Sequence, residues 1–165
     1  MESLINWFTT TLDGVVSKEV IVFIISMVPI LELRGGLIAS KLLGIELLPA
    51  TGLCILGNII PVPFILLFIT PIFNWLKGTR LFKPMVEKLE NKAMGKKEQI
   101  EKYQFWGLML FVGIPLPGTG AWTGSLIASL LNIPFKKAFP ATILGILLAA
   151  VIVDIFSYGL LGLFF

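Results

Sequence analysis

Two kinds of apolar stretch alternate along this chain: some run unbroken, and others are interrupted at their centres. Residues 20–43 form the first interrupted block, with Glu32, Arg34, Gly35 and Gly36 in its middle. Residues 49–72 follow without a charge, which meets the roughly 20 apolar residues that a bilayer-spanning helix needs. Pro61 and Pro63 are expected to bend it. A second interrupted block covers residues 103–132, and a last apolar span runs over 138–163, where Asp154, Ser157 and Tyr158 stand out. Ahead of these blocks, Leu4, Ile5, Phe8, Leu12, Val15 and Val16 recur at roughly helical spacing, with Trp7 alongside and Thr9–Thr11, Asp13 and Gly14 as a polar side. The stretch starts with Glu2, without the basic start and cleavage site of a secretory signal, and reads as an interfacial amphipathic helix.

Residues 77–102 are the one markedly polar region. Eight lysines and arginines stand there against Glu87, Glu90, Glu98 and Glu101. Met85, Leu89 and Met94 add a thin apolar stripe, so the pattern predicts a surface helix or helical hairpin on the membrane.

The two interrupted blocks resemble each other. Pro29-Ile-Leu-Glu-Leu-Arg-Gly-Gly-Leu-Ile-Ala-Ser40 and Pro115-Leu-Pro-Gly-Thr-Gly-Ala-Trp-Thr-Gly-Ser-Leu-Ile-Ala-Ser129 end in the same tetrapeptide. Each is followed by Pro-Ala-Thr, at 49–51 and 140–142. Broken backbone survives in hydrocarbon only when buried in protein or lining a polar cavity. Two such segments in corresponding halves point to a transporter's central site. Helix interruptions are expected near 33–36 and 118–124, with the two tips close to mid-membrane.

Charge argues the topology. If each interrupted block dips in and returns, the basic segment and Lys136–Lys137 share one side, while Glu2, Asp13 and Glu19 take the other, as the positive-inside rule asks. Residues 20–31 as helix measure about 18 Å, about half of a 30 Å bilayer core. The expected fold is therefore an all-α membrane protein. It is an inverted repeat of re-entrant helical hairpin plus transmembrane helix, with an amphipathic N-terminal helix and a cytoplasmic helical linker. A single membrane domain covers 1–165: interfacial helix 1–17, first repeat 18–76, basic linker 77–102, second repeat 103–165. Both termini are expected outside.

Composition agrees. At 56% hydrophobic and 14% charged, with mean hydropathy +0.94, the chain leaves no room for a separate soluble domain. The lone Cys54 excludes a disulfide framework, and the absence of histidine removes the commonest metal ligand and the easiest general base. The pI near 9.1 comes mostly from one segment between spans, so it reads as a topology signal and not as nucleic-acid binding. No hydrolase triad, metal cluster or phosphate-cradling loop is visible, so neither enzyme activity, metal nor cofactor is expected.

Glu32 and Arg34 would sit at the first tip. They read either as a structural pair, with Arg34 neutralising Glu32 or tying down carbonyls at the Gly35-Gly36 break, or as a site. In the second case Arg34 holds an anionic headgroup through its planar fork and Glu32 couples protons. Asp154 is either capped by Ser157 or Tyr158, or a second proton site. At the second tip, Gly118, Thr119, Gly120, Trp122, Thr123, Gly124 and Ser125 open a short helix. This reads as a tight turn, with anion binding at its free amides and hydroxyls as the functional reading added to it. Asn58, midway along the first span, reads as an interhelical hydrogen bond or as a polar wall of the pathway.

The pair Glu32-Leu-Arg-Gly-Gly36 and Pro115-Leu-Pro-Gly-Thr-Gly-Ala-Trp-Thr-Gly124 resembles the small multi-drug export protein family over essentially the whole chain. More distantly, the layout is similar to the DedA/VTT membrane proteins, which have two facing re-entrant hairpins and are linked to translocating lipids such as polyprenyl phosphates. Thr123 stands where the repeat would place a partner for Arg34. The resemblance implies a small multi-pass inner-membrane transporter of an amphipathic small molecule or an anionic lipid headgroup. A non-transporting scaffold or assembly factor is the alternative. Two spans and two half-inserted hairpins leave much polar backbone to cover, so a homodimer among membrane lipids is expected.

Overall fold

The structure, a computed structural model, describes residues 2–12, 16–80, 83–95 and 104–156. These are all-helical: α1 (Glu2–Leu12), α2 (Lys18–Met27), α3 (Glu32–Leu42), α4 (Leu47–Ile59), α5 (Pro61–Lys77), α6 (Lys83–Met94), α7 (Phe105–Gly113), α8 (Ala121–Leu130) and α9 (Phe135–Asp154).

Both interrupted blocks are helix–break–helix units, and proline makes each break. Val28 is extended (φ −73°, ψ 132°) ahead of Pro29, and Ile114 is extended (φ −83°, ψ 119°) ahead of Pro115. Proline's ring disfavours helical dihedrals in the residue before it, so α2 and α7 stop there. The breaks cover residues 28–31 and 114–120. This corrects the expected positions. α3 runs unbroken through Gly35 and Gly36, and α8 contains Thr123 and Gly124. The paired glycines serve close approach instead. A Cβ on Gly36 would collide with Ser26 Oγ and lie 2.7 Å from Cys54 Sγ, so α3 sits in a notch between α2 and α4.

The far ends of the two units also match. α3 closes with Gly44 at φ 70° and an Ile45 N–H bond to the Ser40 carbonyl (2.9 Å). α8 closes with Asn132 at φ 53° and an Ile133 N–H bond to the Ala128 carbonyl (2.9 Å). Left-handed closure of this kind satisfies the last orphan carbonyls of a helix.

Each unit returns to the end it started from. Lys18 Nζ, at the start of α2, reaches the Leu43 carbonyl (3.1 Å) after α3. Lys137 Nζ, at the start of α9, reaches Gln104 Oε1 (3.4 Å) before α7. Two stretches are long and apolar enough to cross a membrane: Leu47–Lys77, 31 residues, and Phe135–Asp154, 20 residues. The first is α4 and α5 end to end, divided at Ile60 where Pro61 and Pro63 supply no amide. At 1.5 Å per residue it is about 46 Å long, more than one bilayer core. The start of α4 meets the end of α9 through Thr51 Oγ1, which donates to Asp154 Oδ2 (2.9 Å).

The core is one cluster. α2, α3 and α4 pack together, α9 lies chiefly on α7, and α5 crosses to α8, where the Thr70 and Ser129 hydroxyls are 2.7 Å apart. Small buried residues such as Ala39, Ala128, Ala141 and Ala149 let the helices come close. α1 docks through Ile5 and leaves Leu4 and Trp7 exposed. α6 is held by Val86, fully buried, and by Lys77–Glu90 (2.6 Å). Val86 thus replaces the expected stripe: Met85 and Met94 are exposed, and the Leu89 side chain lies outside the described residues. Ser157 and Tyr158 also lie outside them.

Candidate clasp between the two broken segments

The first amides of any helix have no partner within it. At α8 these belong to Ala121 and Trp122, and the side chain that caps them comes from the other broken segment. Ala121 N–H donates to Glu32 Oε2 (3.1 Å) and Trp122 N–H donates to Glu32 Oε1 (3.0 Å). Glu32 is only 6% exposed. A carboxylate so buried needs partners, and two amides at the positive end of a helix dipole supply them. Gly120 makes the approach possible. Its φ of 138° suits glycine, and a Cβ there would collide with the Glu32 carboxylate.

Arg34, two residues on, grips the loop before α8. Nη1 donates to the Leu116 carbonyl (2.9 Å), while Nη2 donates to Thr119 Oγ1 (3.1 Å) and to the Ile114 carbonyl (3.5 Å). The Thr119 hydroxyl lies 2.8 Å from both of those carbonyls and ties the loop to itself. Gly118 supplies the turn at φ 77°. A third link runs the other way: Trp122 Nε1 donates to the Met27 carbonyl (3.0 Å) at the end of α2. The tips meet through side chains of both.

These contacts change several expectations. Glu32 and Arg34 form no ion pair with each other among the described residues; each spends its polar atoms on the opposite segment. Arg34 does tie down carbonyls, but those of residues 114 and 116 and not those at Gly35-Gly36. The amides expected to be free for an anion are filled by Glu32. Gly35 and Gly36 face Leu31, Ser26 and Cys54 within the helix packing, away from the tip contacts. Gly124 packs on Val112. Thr123 is half-buried in the first turn of α8. Ser125 Oγ and Asn58 Oδ1 are buried with no partner among the described residues. Asp154 stands apart with Thr51, its Oδ1 also without a partner.

Sequence reasoning missed the carbonyls of Met27, Ile114 and Leu116. The available signal was Pro115 and Pro117, whose missing amides leave nearby carbonyls in need of donors, with one arginine at matching depth. The family model for small multi-drug export proteins matches residues 32–152, from Glu32 through both motifs. No curated protein and no solved structure matches the chain.

Proposed function

Because the chain belongs to the small multi-drug export family, we propose that it carries an amphipathic small molecule across the inner membrane along the seam between its two broken segments. The observation that carries this reading is the meeting, at their tips, of two half-length units that start and return at opposite ends. Such broken elements, facing each other at mid-depth, are how transporters place a site between halves. The same arrangement supports an inverted repeat of re-entrant hairpins in a multi-pass protein. The phosphate-headgroup reading is the weaker one, because the donors it needs are engaged by Glu32 and by backbone carbonyls.

Charge orients the molecule. Residues 77–102 with Lys136 and Lys137 hold ten basic side chains against four acidic ones, which puts that end in the cytoplasm. In a Cys54→Ser background, cysteines at positions 88 and 136 are expected to react from the cytoplasmic face, and one at position 46 from the opposite face. Labelling of 88 and 136 from different faces rules out the re-entrant arrangement.

Glu32 is the acid placed to couple protons, since its charge holds the tips together. Asp154 lies at the end of α9. Transport itself is tested by reconstitution. Purified protein in liposomes should move a fluorescent lipophilic cation such as ethidium in a saturable manner when a pH gradient is imposed. Absence of flux across a panel of amphipathic dyes would make the protein a membrane scaffold.

A further inference from the structure

Glu32, Arg34 and Trp122 make six hydrogen bonds between the two tips. The outer parts of the two loops face away from the core, with Ile30 77% exposed and Leu116, Pro117 and Gly118 exposed as well, while Leu31 at the base of the first is fully buried. The outer loop residues can therefore move while Leu31, Leu33 and Ala121 keep the bases of the tips in the core. Glu32 is also held in a left-handed conformation, φ 49°, next to Ile30 at φ 77°. Non-glycine residues occupy that region only when their surroundings force them, and such positions gather at switches. The carboxylate that closes the contact is thus carried on backbone that relaxes when it lets go.

We infer that the Glu32–Arg34–Trp122 clasp is a gate, closed in this structure, which opens as one unit when Glu32 leaves the amides of α8. The carboxylate form is what closes it. A neutral carboxyl or an amide keeps one oxygen acceptor and turns a donor toward the second N–H, so it holds at most one of the two amides. Arg34 is the charged neighbour at the clasp. The other charged residues on the elements packed around it, Lys18, Glu19, Lys41, Lys136, Lys137 and Asp154, sit toward the outer ends of α2, α3 and α9. What the gate controls rests on the export reading; the opening itself does not.

Hydrogen exchange on the full chain in lipid nanodiscs tests this without any substrate. Glu32→Gln is compared with Trp122→Phe, which keeps an aromatic ring and loses only the donor to Met27. In both variants, peptides covering 26–36 and 114–125 should exchange faster together, by roughly tenfold or more for Glu32→Gln. Peptides from α5 and α9 should remain far slower than the tip peptides in both variants, rising no more than the loss of global stability requires. A change confined to the mutated side, or none, overturns the gate. Exchange of α5 and α9 as fast as that of the tip peptides in both variants overturns it too, because the tips then open only with the whole fold. Concerted exchange without dye flux retires the export reading and leaves the gate standing, while flux without concerted exchange does the reverse.

Discussion

Glu32→Ala is expected to lower the unfolding free energy by about 3 kcal/mol and to abolish dye export. Hydrogen bonds to charged groups are worth about 1.5–3 kcal/mol, and a buried donor left without a partner costs about 1–3 kcal/mol. The substitution removes a carboxylate that accepts two bonds and leaves the amides of Ala121 and Trp122 facing a void. Against a total stability of about 5–15 kcal/mol, that is a large share. Denaturant titration in detergent, followed by tryptophan emission, measures it directly. Glu32→Asp keeps the charge but is one methylene shorter, so it cannot hold both amides and should fall between the alanine variant and the parent. A loss below about 1 kcal/mol for Glu32→Ala would show that the α8 amides find other partners and that Glu32 is not what joins the tips.

Gly120→Ala should be nearly as damaging, for a different reason. Gly120 combines φ 138° with ψ −177°, a region that essentially only glycine enters, at a cost of about 1–3 kcal/mol for other residues. The added methyl would also occupy the position of the Glu32 carboxylate. Strain and lost capping act together, so the expected destabilisation is about 3–4 kcal/mol, with export lost. Gly44→Ala separates the two contributions. Gly44 also has a positive φ, 70°, but a Cβ there meets nothing within 4 Å. Its cost should be limited to the left-handed penalty, about 1 kcal/mol, with export retained. Equal losses for the two variants would mean that backbone strain alone explains Gly120.

Much of this arrangement was legible in the residues. Glu32, Arg34, Thr119, Gly120 and Trp122 drew attention as charged or turn-forming positions within apolar blocks, and all five meet in the clasp. Polar atoms within apolar blocks must find partners, which is why their presence could be read as a site. Their pairing was less visible. Neighbouring Glu32 and Arg34 suggest an ion pair, but opposite charges two residues apart on a chain need not face each other. The better acceptors and donors lay on a segment far away in sequence. The breaks were misplaced because Gly35-Gly36 reads as a turn, whereas the chain turns at Pro29 with Ile30 and Glu32 in left-handed backbone. Nothing in the type of either residue announces that conformation. Asp154 reads from the sequence as capped by Ser157 or Tyr158 or as a proton site; those two hydroxyls lie outside the described residues, and the partner seen is Thr51 across the bundle. Side-chain pairs joining distant elements carry no local signature.

The separation between Glu32 and its donors, 89 and 90 residues, also sets a timetable for synthesis. A ribosome adding about 5–20 residues per second makes that length in roughly 4–18 s. Throughout that interval, α2 and α3 have been made while the amides that cap their carboxylate have not. The newborn amino-terminal half therefore carries an unpaired acid and an unpaired guanidinium into a setting where each is costly. It must wait in a water-accessible or otherwise shielded position until the second motif arrives. The contact between the two broken segments is thus completed from the far end of the message, once residues 114–122 have been translated.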